Sequence, residues 1–264
     1  MYQDIGGRAA FDDLISAVLR AGELALTLYR QGAGQSAQKK PDRSPVTEAD
    51  KAVETQLASF VRARFPSAVF FGEEHGGEDR KAVGLRFVVD PIDGTRAFMR
   101  GLPTWSVLVG VELDGEPVAG VAYMPAAGDL FTAVRGEGAY VNGRPARVSA
   151  VEQLADALVC HGALAQFTDD GREPLLGALA AGSYTQRGMA DFANYRALLL
   201  GQADAVVDPL VQPYDVAAAA VLIREAGGRL TSLRGEDTIY GPGALASNGH
   251  LHASLLALVQ SATG

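Results

Sequence analysis

Two aspartates separated by a proline and an isoleucine, Asp90-Pro91-Ile92-Asp93, stand directly after a hydrophobic run and directly before Gly94-Thr95. Where such a run ends and the chain turns, two carboxylates and a backbone carbonyl can converge. Hard oxygen donors suit Mg²⁺, which takes six oxygens at about 2.0–2.1 Å and keeps several waters, so a few carboxylates and a substrate phosphate complete its shell. The next residues, Arg96-Ala97-Phe98-Met99, can begin a short helix whose free backbone amides face an anion. Taken alone the motif also reads as a plain turn, because Asp-Pro and Asp-Gly are common turn pairs. Glu73 and Glu74 add acid at the end of another hydrophobic run, although paired glutamates on loops are ordinarily solvated. Asp215, just before Val216-Ala217-Ala218-Ala219-Ala220, fits either a ligand carboxylate or a helix N-cap.

These acids need a frame. Apolar residues at Phe11, Leu14, Ile15, Val18, Leu19, Leu26 and Tyr29 have helical spacing and predict a first helix over 9–30. The Gly-, Gln-, Lys- and Pro-rich stretch 31–45 reads as a mobile surface loop that, with Lys39 and Lys40, is a candidate lid. A second helix is expected over 47–64, with Thr47 and Asp50 placed as an N-cap pair. Short strands at 68–71 and 85–90 stop at the two acidic motifs, and 105–113, 116–124, 130–134 and 139–141 have the rhythm of an antiparallel meander. After about residue 150 the pattern becomes α/β-like. Apolar strands are expected near 157–160 and 205–207, with helices near 169–181, 190–201, 214–226 and 249–261. Gly227-Gly228 then stops a helix before a strand at 229–231. The expected organisation is one unit with an α+β half (about 1–150) and an α/β half (about 151–264).

The 264 residues, 48% of them hydrophobic, can bury a sizeable core. With 31 acidic against 23 basic side chains the formal charge is −8, which opposes a nucleic-acid partner and leaves phosphate binding to local cations or backbone amides. No apolar run reaches the roughly 18 residues of a membrane helix. The lone Cys160, among Ala157, Leu158 and Val159, reads as a thiol in a buried strand and fits a reducing cytoplasm.

In order along the chain, Gly72-Glu73-Glu74, Asp90-Pro91-Ile92-Asp93-Gly94-Thr95 and Tyr214-Asp215-Val216-Ala217-Ala218 with Glu225-Ala226-Gly227-Gly228 resemble the three motifs of the inositol monophosphatase superfamily. Ser44-Pro45-Val46-Thr47-Glu48-Ala49-Asp50 is similar to the family's early motif, so the resemblance covers nearly the whole chain. It implies an α+β fold, the layered α-β-α-β-α sandwich of the inositol monophosphatase and fructose-1,6-bisphosphatase type. It also implies two or three Mg²⁺ ions held by Glu73, Asp90, the Ile92 carbonyl, Asp93 and Asp215. One ion would activate a water, another would neutralise the leaving oxygen, and no covalent phosphoenzyme would form. Thr95, paired with Asp50, would orient that water beside Glu73, and the Gly94 and Thr95 amides would hold the phosphate.

The stretch Arg187-Gly188-Met189-Ala190-Asp191-Phe192 resembles the histidinol-phosphate phosphatase branch, as does Arg100-Gly101-Leu102-Pro103-Thr104-Trp105, and Tyr214 stands where the inositol branch usually has Trp. Histidinol phosphate presents an ammonium and an imidazole where inositol presents only hydroxyls. Asp191 and Asp208 are therefore candidates to pair with the cation, and Trp105 is a candidate ring contact, while Asp191 also fits a helix N-cap and Trp105 core packing. The substrate expected is L-histidinol phosphate. The alternatives are an inositol-1-monophosphatase or broad sugar-phosphate phosphatase, and, in another class, a catalytically silent binding protein, which predicts loss of a ligand carboxylate that is not seen. His75, His161, His250 and His252 lack zinc-hydrolase spacing, and serine-hydrolase and nucleotide-triphosphatase motifs are absent. A homodimer is expected from relatives.

Overall fold

The computed structural model of the chain describes residues 2–36, 38–39, 45–74, 76 and 83–262. Helix α1 (Arg8–Arg30) buries Phe11, Leu14, Val18, Ala21 and Ala25 along one stripe. Helix α2 (Glu48–Arg64) begins at the expected cap: Asp50 Oδ2 accepts the Thr47 N–H at 2.7 Å, and the Ala49 and Asp50 amides donate to Thr47 Oγ1. Two short strands, β1 (Gln38–Lys39) and β2 (Pro45–Val46), pair antiparallel within the predicted loop, and the turn Ala33–Ser36 precedes them. Gly34 in that turn lies so close to the next short helix, α3 (Thr95–Met99), that a Cβ would stand 2.6 Å from the Met99 Cα. Lys40 of the candidate lid, Ser44 of the early motif and His75 lie outside the described residues.

Among the described residues, the larger sheet runs in chain order through β3 (Val69–Gly72), β4 (Leu85–Asp93), β5 (Ser106–Leu113), β6 (Glu116–Met124), β7 (Asp129–Val134), β8 (Ala139–Val141) and β9 (Arg144–Pro145). From β4 onward it is the antiparallel meander that the turn spacing predicts, whereas β3 joins β4 in parallel. The second sheet has the order β11 (Thr185–Arg187), β10 (Leu158–His161), β12 (Ala205–Asp208), β14 (Ala244–Ser247), β13 (Arg229–Thr231). It is parallel across its first three strands and antiparallel beyond them. Strands β11 and β14 were not anticipated. The helix expected at 169–181 is two, α4 (Leu164–Asp169) and α5 (Glu173–Gly182), separated where Gly171 takes a φ of 67°.

Side-chain alternation divides the molecule into layers. Phe87, Val89, Val107, Val109 and Val111 pack on α1 and α2, while Val88 and Leu108 face the opposite way into a core shared with α6 (Asp191–Leu199) and α7 (Pro213–Glu225). The second sheet contributes Cys160, Val206 and Ala246 to that middle core and turns Val159, Val207 and Leu245 toward α4, α5 and α8 (His252–Ala262). The result is an α-β-α-β-α sandwich with a buried free Cys160.

Helix α7 lies against the larger sheet without intervening side chains. Gly110 and Gly120 are register partners on β5 and β6; a Cβ on Gly110 would come within 2.4 Å of the Ala217 Cβ, and one on Gly120 within 2.6 Å of the Ala218 carbonyl oxygen. The alanine run Ala217-Ala218-Ala219-Ala220 within this helix is therefore the surface that sets its height above the sheet. No helix among the described residues is long and apolar enough to cross a membrane.

Candidate metal centre and active site

Register explains why the acids meet. Strand β4 does not stop at Asp90 as expected but continues to Asp93 through an irregularity: Asp90 opposes Leu108 and Asp93 opposes Ser106, so three steps on β4 match two on β5. In a regular strand residues three apart face opposite sides; the bulge at Pro91-Ile92 turns both carboxylates to one side, and proline costs no ladder donor there. Parallel pairing of Gly72 with Val89 then sets Glu73 beside Asp90, with the Glu73 N–H donating to the Val89 carbonyl at 3.1 Å. Asp215 is the third residue of α7 rather than its N-cap, and its Oδ2 accepts the Gln212 N–H at 2.6 Å. Because α7 rests on β5 and β6, its N-terminus is delivered to the end of β4.

Asp90, Asp93 and Asp215 each present a carboxylate oxygen within 4.8 Å of the others. Asp93 Oδ2 is held by the Ser106 hydroxyl at 2.7 Å and the Phe192 N–H at 2.9 Å. Asp90 Oδ1 is buried with no hydrogen-bond partner. Burial raises the proton affinity of Asp90 well above the usual carboxylate range, and the charges of Glu73, Asp93 and Asp215 raise it further. Asp93 is raised well above that range by burial and then by Asp191 and Asp215, and Asp215 is raised chiefly by burial. An all-oxygen set, mutually repelling and with one lone oxygen unmatched, fits a divalent cation.

Thr95 sits between this cluster and α2. Its hydroxyl lies 3.1 Å from the Ile92 carbonyl and 3.4 Å from Asp50 Oδ1. Asp50 is completely buried, and that burial raises its proton affinity against the opposing pull of Thr47's hydrogen bonds. Gly94 caps α3 in the left-handed region, φ 81°, and a Cβ there would stand 2.9 Å from Asp191 Oδ2. Asp191 does not cap α6, since Ala190 occupies that position; the two have φ values of 49° and 68°, uncommon for residues with side chains, and the strain aims Asp191 over the Gly94 turn.

A cavity of about 570 Å³ joins these groups. Glu73, Asp90, Ile92, Asp93, Gly94, Thr95, Asp191, Asp208 and Asp215 line it, with Arg96 and Arg100 one helical turn apart on the same wall. Asp208, at the end of β12, is buried and thereby pushed up to about 7. Asp50 stands behind Thr95 rather than in the wall. Trp105 is a correction to the expected ring contact: it is 0% exposed and packs 5.1 Å from the Phe98 ring and 5.4 Å from Tyr29, as core.

Several residues of the site escaped the sequence reading. Glu54, buried one turn after Asp50 on α2, accepts the Glu74 N–H at 2.8 Å, and Gly72 leaves room for its carboxylate. Its signal was an acid on the same apolar helix face as Val53, Leu57 and Val61. Ser106 becomes visible only through strand register, and Tyr195 reads as ordinary core until its hydroxyl is located.

Comparison with known proteins places this geometry in context. The sequence profile of the inositol monophosphatase family matches residues 10–263. The chain is 38% identical to a histidinol-phosphatase of Mycobacterium tuberculosis, with 93% of this chain and 96% of that protein aligned. It is 33% identical to a histidinol-phosphatase of Chlorobaculum parvum over 91% of this chain and 92% of the relative. Its fold superposes on the extragenic suppressor protein suhB of Bartonella henselae with a TM-score of 0.87 at 28% identity, covering 96% of this chain and 98% of the other.

Proposed function

Given that the chain belongs to the inositol monophosphatase family, we propose that it is a Mg²⁺-dependent phosphatase whose substrate is L-histidinol phosphate. That it is a phosphomonoesterase follows from the family and from the histidinol-phosphatase relatives. The observation that carries the metal assignment is the convergence of Asp90, Asp93 and Asp215 around a buried, unpartnered Asp90 Oδ1. In this reading Glu73, the Ile92 carbonyl and these three aspartates hold two or three ions. When bound, Mg²⁺ supplies the Lewis acidity that polarises the phosphoryl group and eases deprotonation of water.

The protein's own groups do the positioning. The Gly94 and Thr95 amides at the start of α3 hold phosphate oxygens, and Arg96 and Arg100 draw the anion into a chain that is otherwise strongly acidic. The Thr95 hydroxyl, donating toward Asp50, keeps its lone pairs free to accept from the attacking water and so aims that water at phosphorus. Asp50, whose burial raises its proton affinity above that of an exposed carboxylate, is the group placed behind Thr95 to take up a proton.

Two further acids in the same cavity favour a cationic leaving group. Asp191 overlooks the phosphate turn, and its charge raises the proton affinity of Asp208 at the end of β12, so an ammonium or imidazolium between them would relieve that repulsion. The free buried thiol at Cys160 agrees with a reducing cytoplasm, and the reading extends to a homodimer there.

The test is phosphate release from histidinol phosphate, inositol 1-phosphate and fructose 1,6-bisphosphate. The highest kcat/KM should fall to histidinol phosphate; a preference for inositol 1-phosphate keeps the metal chemistry and overturns the substrate.

A further inference from the structure

Tyr195 is a buried tyrosine whose hydroxyl has no evident purpose in packing. It follows Asp191 by one helical turn on α6, so both lie on the face of the helix that borders the cavity. The residue is 2% exposed, its ring lies 6.3 Å from Phe192, and its hydroxyl is buried with no hydrogen-bond partner. Phenylalanine would supply the same packing without the cost of an unmatched polar group.

The surroundings of that hydroxyl point to a use. Asp208 is the charge that acts on it most strongly, ahead of Asp215 and Asp93. The Asp208 carboxyl borders the cavity, and the pull of the Tyr195 hydroxyl on it opposes the rise in proton affinity that burial causes. Gly162 keeps the space beside it clear, since a Cβ there would stand 2.5 Å from Asp208 Oδ1. A carboxylate meant to meet one particular group of a ligand needs its direction fixed from behind, and the phenol is the neutral donor placed to do so.

We propose that Tyr195 is a positioning residue of the leaving-group subsite: with substrate bound, its hydroxyl donates to the Asp208 carboxyl and directs that carboxyl at a cation or donor on the leaving group, an inference that rests on Asp208 contacting the leaving group. Phe192, packed on the same ring and donating its N–H to Asp93, ties this part of α6 to the metal-side acids, so the hydroxyl's effect on specificity must be separated from any effect on the metal centre.

A double-mutant cycle makes the separation. Wild type, Tyr195→Phe, Asp208→Asn and the double variant are assayed for kcat and KM with the better cleaved of histidinol phosphate and inositol 1-phosphate, and with phenyl phosphate, whose leaving group carries no donor. Tyr195→Phe is expected to raise KM for the metabolite, to lower selectivity for it over phenyl phosphate about tenfold, and to add nothing in the Asp208→Asn background. Equal losses on both substrates, additive losses in the cycle or an unchanged KM would overturn the proposal. Asp208→Asn by itself reads the underlying assignment. If it lowers selectivity and Tyr195→Phe does not, only the role of Tyr195 falls; if it has no effect, the leaving-group role of Asp208 falls and that of Tyr195 with it. Thermal unfolding of Tyr195→Phe at or above the wild-type midpoint shows that a lost fold is not the cause.

Discussion

The Thr95 hydroxyl lies 3.4 Å from Asp50 Oδ1, joining the turn after β4 to the first turn of α2 across 45 residues of sequence. Asp50 is held from its other side by Thr47, whose N–H and hydroxyl both donate to Oδ2. The same carboxylate therefore caps a helix and faces the active-site cavity through Thr95. A helix start gives it a fixed orientation, and burial keeps water from competing for it.

Removing the hydroxyl should separate chemistry from binding. Thr95→Ala is expected to lower kcat by about 10²–10⁴-fold, the range for loss of a group that orients or deprotonates a nucleophile, while Mg²⁺ binding persists. Single-turnover kinetics with metal titration checks this. A variant that keeps wild-type kcat would remove the Thr95–Asp50 pair from the mechanism.

The close approach of α7 to the larger sheet predicts a second effect. Gly120→Ala puts a methyl group 2.6 Å from the Ala218 carbonyl oxygen, so the helix must lift. Overpacking of this kind costs about 1–3 kcal/mol, and because Asp215 rides on the lifted end, Mg²⁺ affinity should fall with stability. Urea unfolding and metal titration of the variant test both parts, and wild-type values in either would contradict the account.

Glu54 supports the loop that carries Glu73 by accepting the Glu74 N–H. Glu54→Gln keeps the size of the side chain but weakens that charge-assisted bond, and Mg²⁺ affinity is expected to fall by about 10–100-fold, as for other residues that orient a metal ligand from behind. Isothermal titration with Mg²⁺ measures it. Unchanged affinity would mean that the Glu73 loop holds its shape without Glu54.

The buried acids also make stability depend on pH in a direction that metal reverses. Asp90, Asp93, Asp208 and Asp215 all have raised proton affinity, chiefly from burial, with Asp208 at about 7. Such groups bind more protons folded than unfolded, so without metal their contribution favours the fold below the unfolded carboxylate pKa of about 4 and is lost as pH rises toward 7. Mg²⁺ binds the ionised carboxylates, so its gain in melting temperature should be larger at about pH 8 than at about pH 5. Thermal scans in EDTA and in Mg²⁺ at the two values decide it, and equal shifts would contradict the reading.

Much of the site was legible because its residues sit in local motifs. The Thr47–Asp50 cap, the acids after two strands and the meander all follow from spacing within a few residues, which periodicity and turn chemistry report directly. What escaped notice depends on partners distant in sequence. Nothing local says that β4 runs on through Pro91 as a bulge, that Ser106 will stand opposite Asp93, or that Gly110 and Gly120 are spaces for Ala217 and Ala218. For Trp105 the sequence leaves a ring contact and core packing both open, and the rings of Phe98 and Tyr29 pack on it as core. Asp191 reads from the sequence equally as a substrate contact or a helix cap; Ala190 takes the cap position, and the Asp191 carboxylate stands over Gly94.

If the carboxylates at the end of β4 hold the catalytic metal, Asp93→Asn should displace it, because asparagine keeps the shape and the Ser106 contact site while removing the charge. Mg²⁺ binding and phosphate release from histidinol phosphate should be measured together for wild type and Asp93→Asn, each with Mg²⁺ and with EDTA. Wild type should release phosphate only with Mg²⁺, and the variant should lose both binding and release. Release that survives EDTA, or an Asp93→Asn protein that binds Mg²⁺ and turns over like wild type, would contradict the metal assignment.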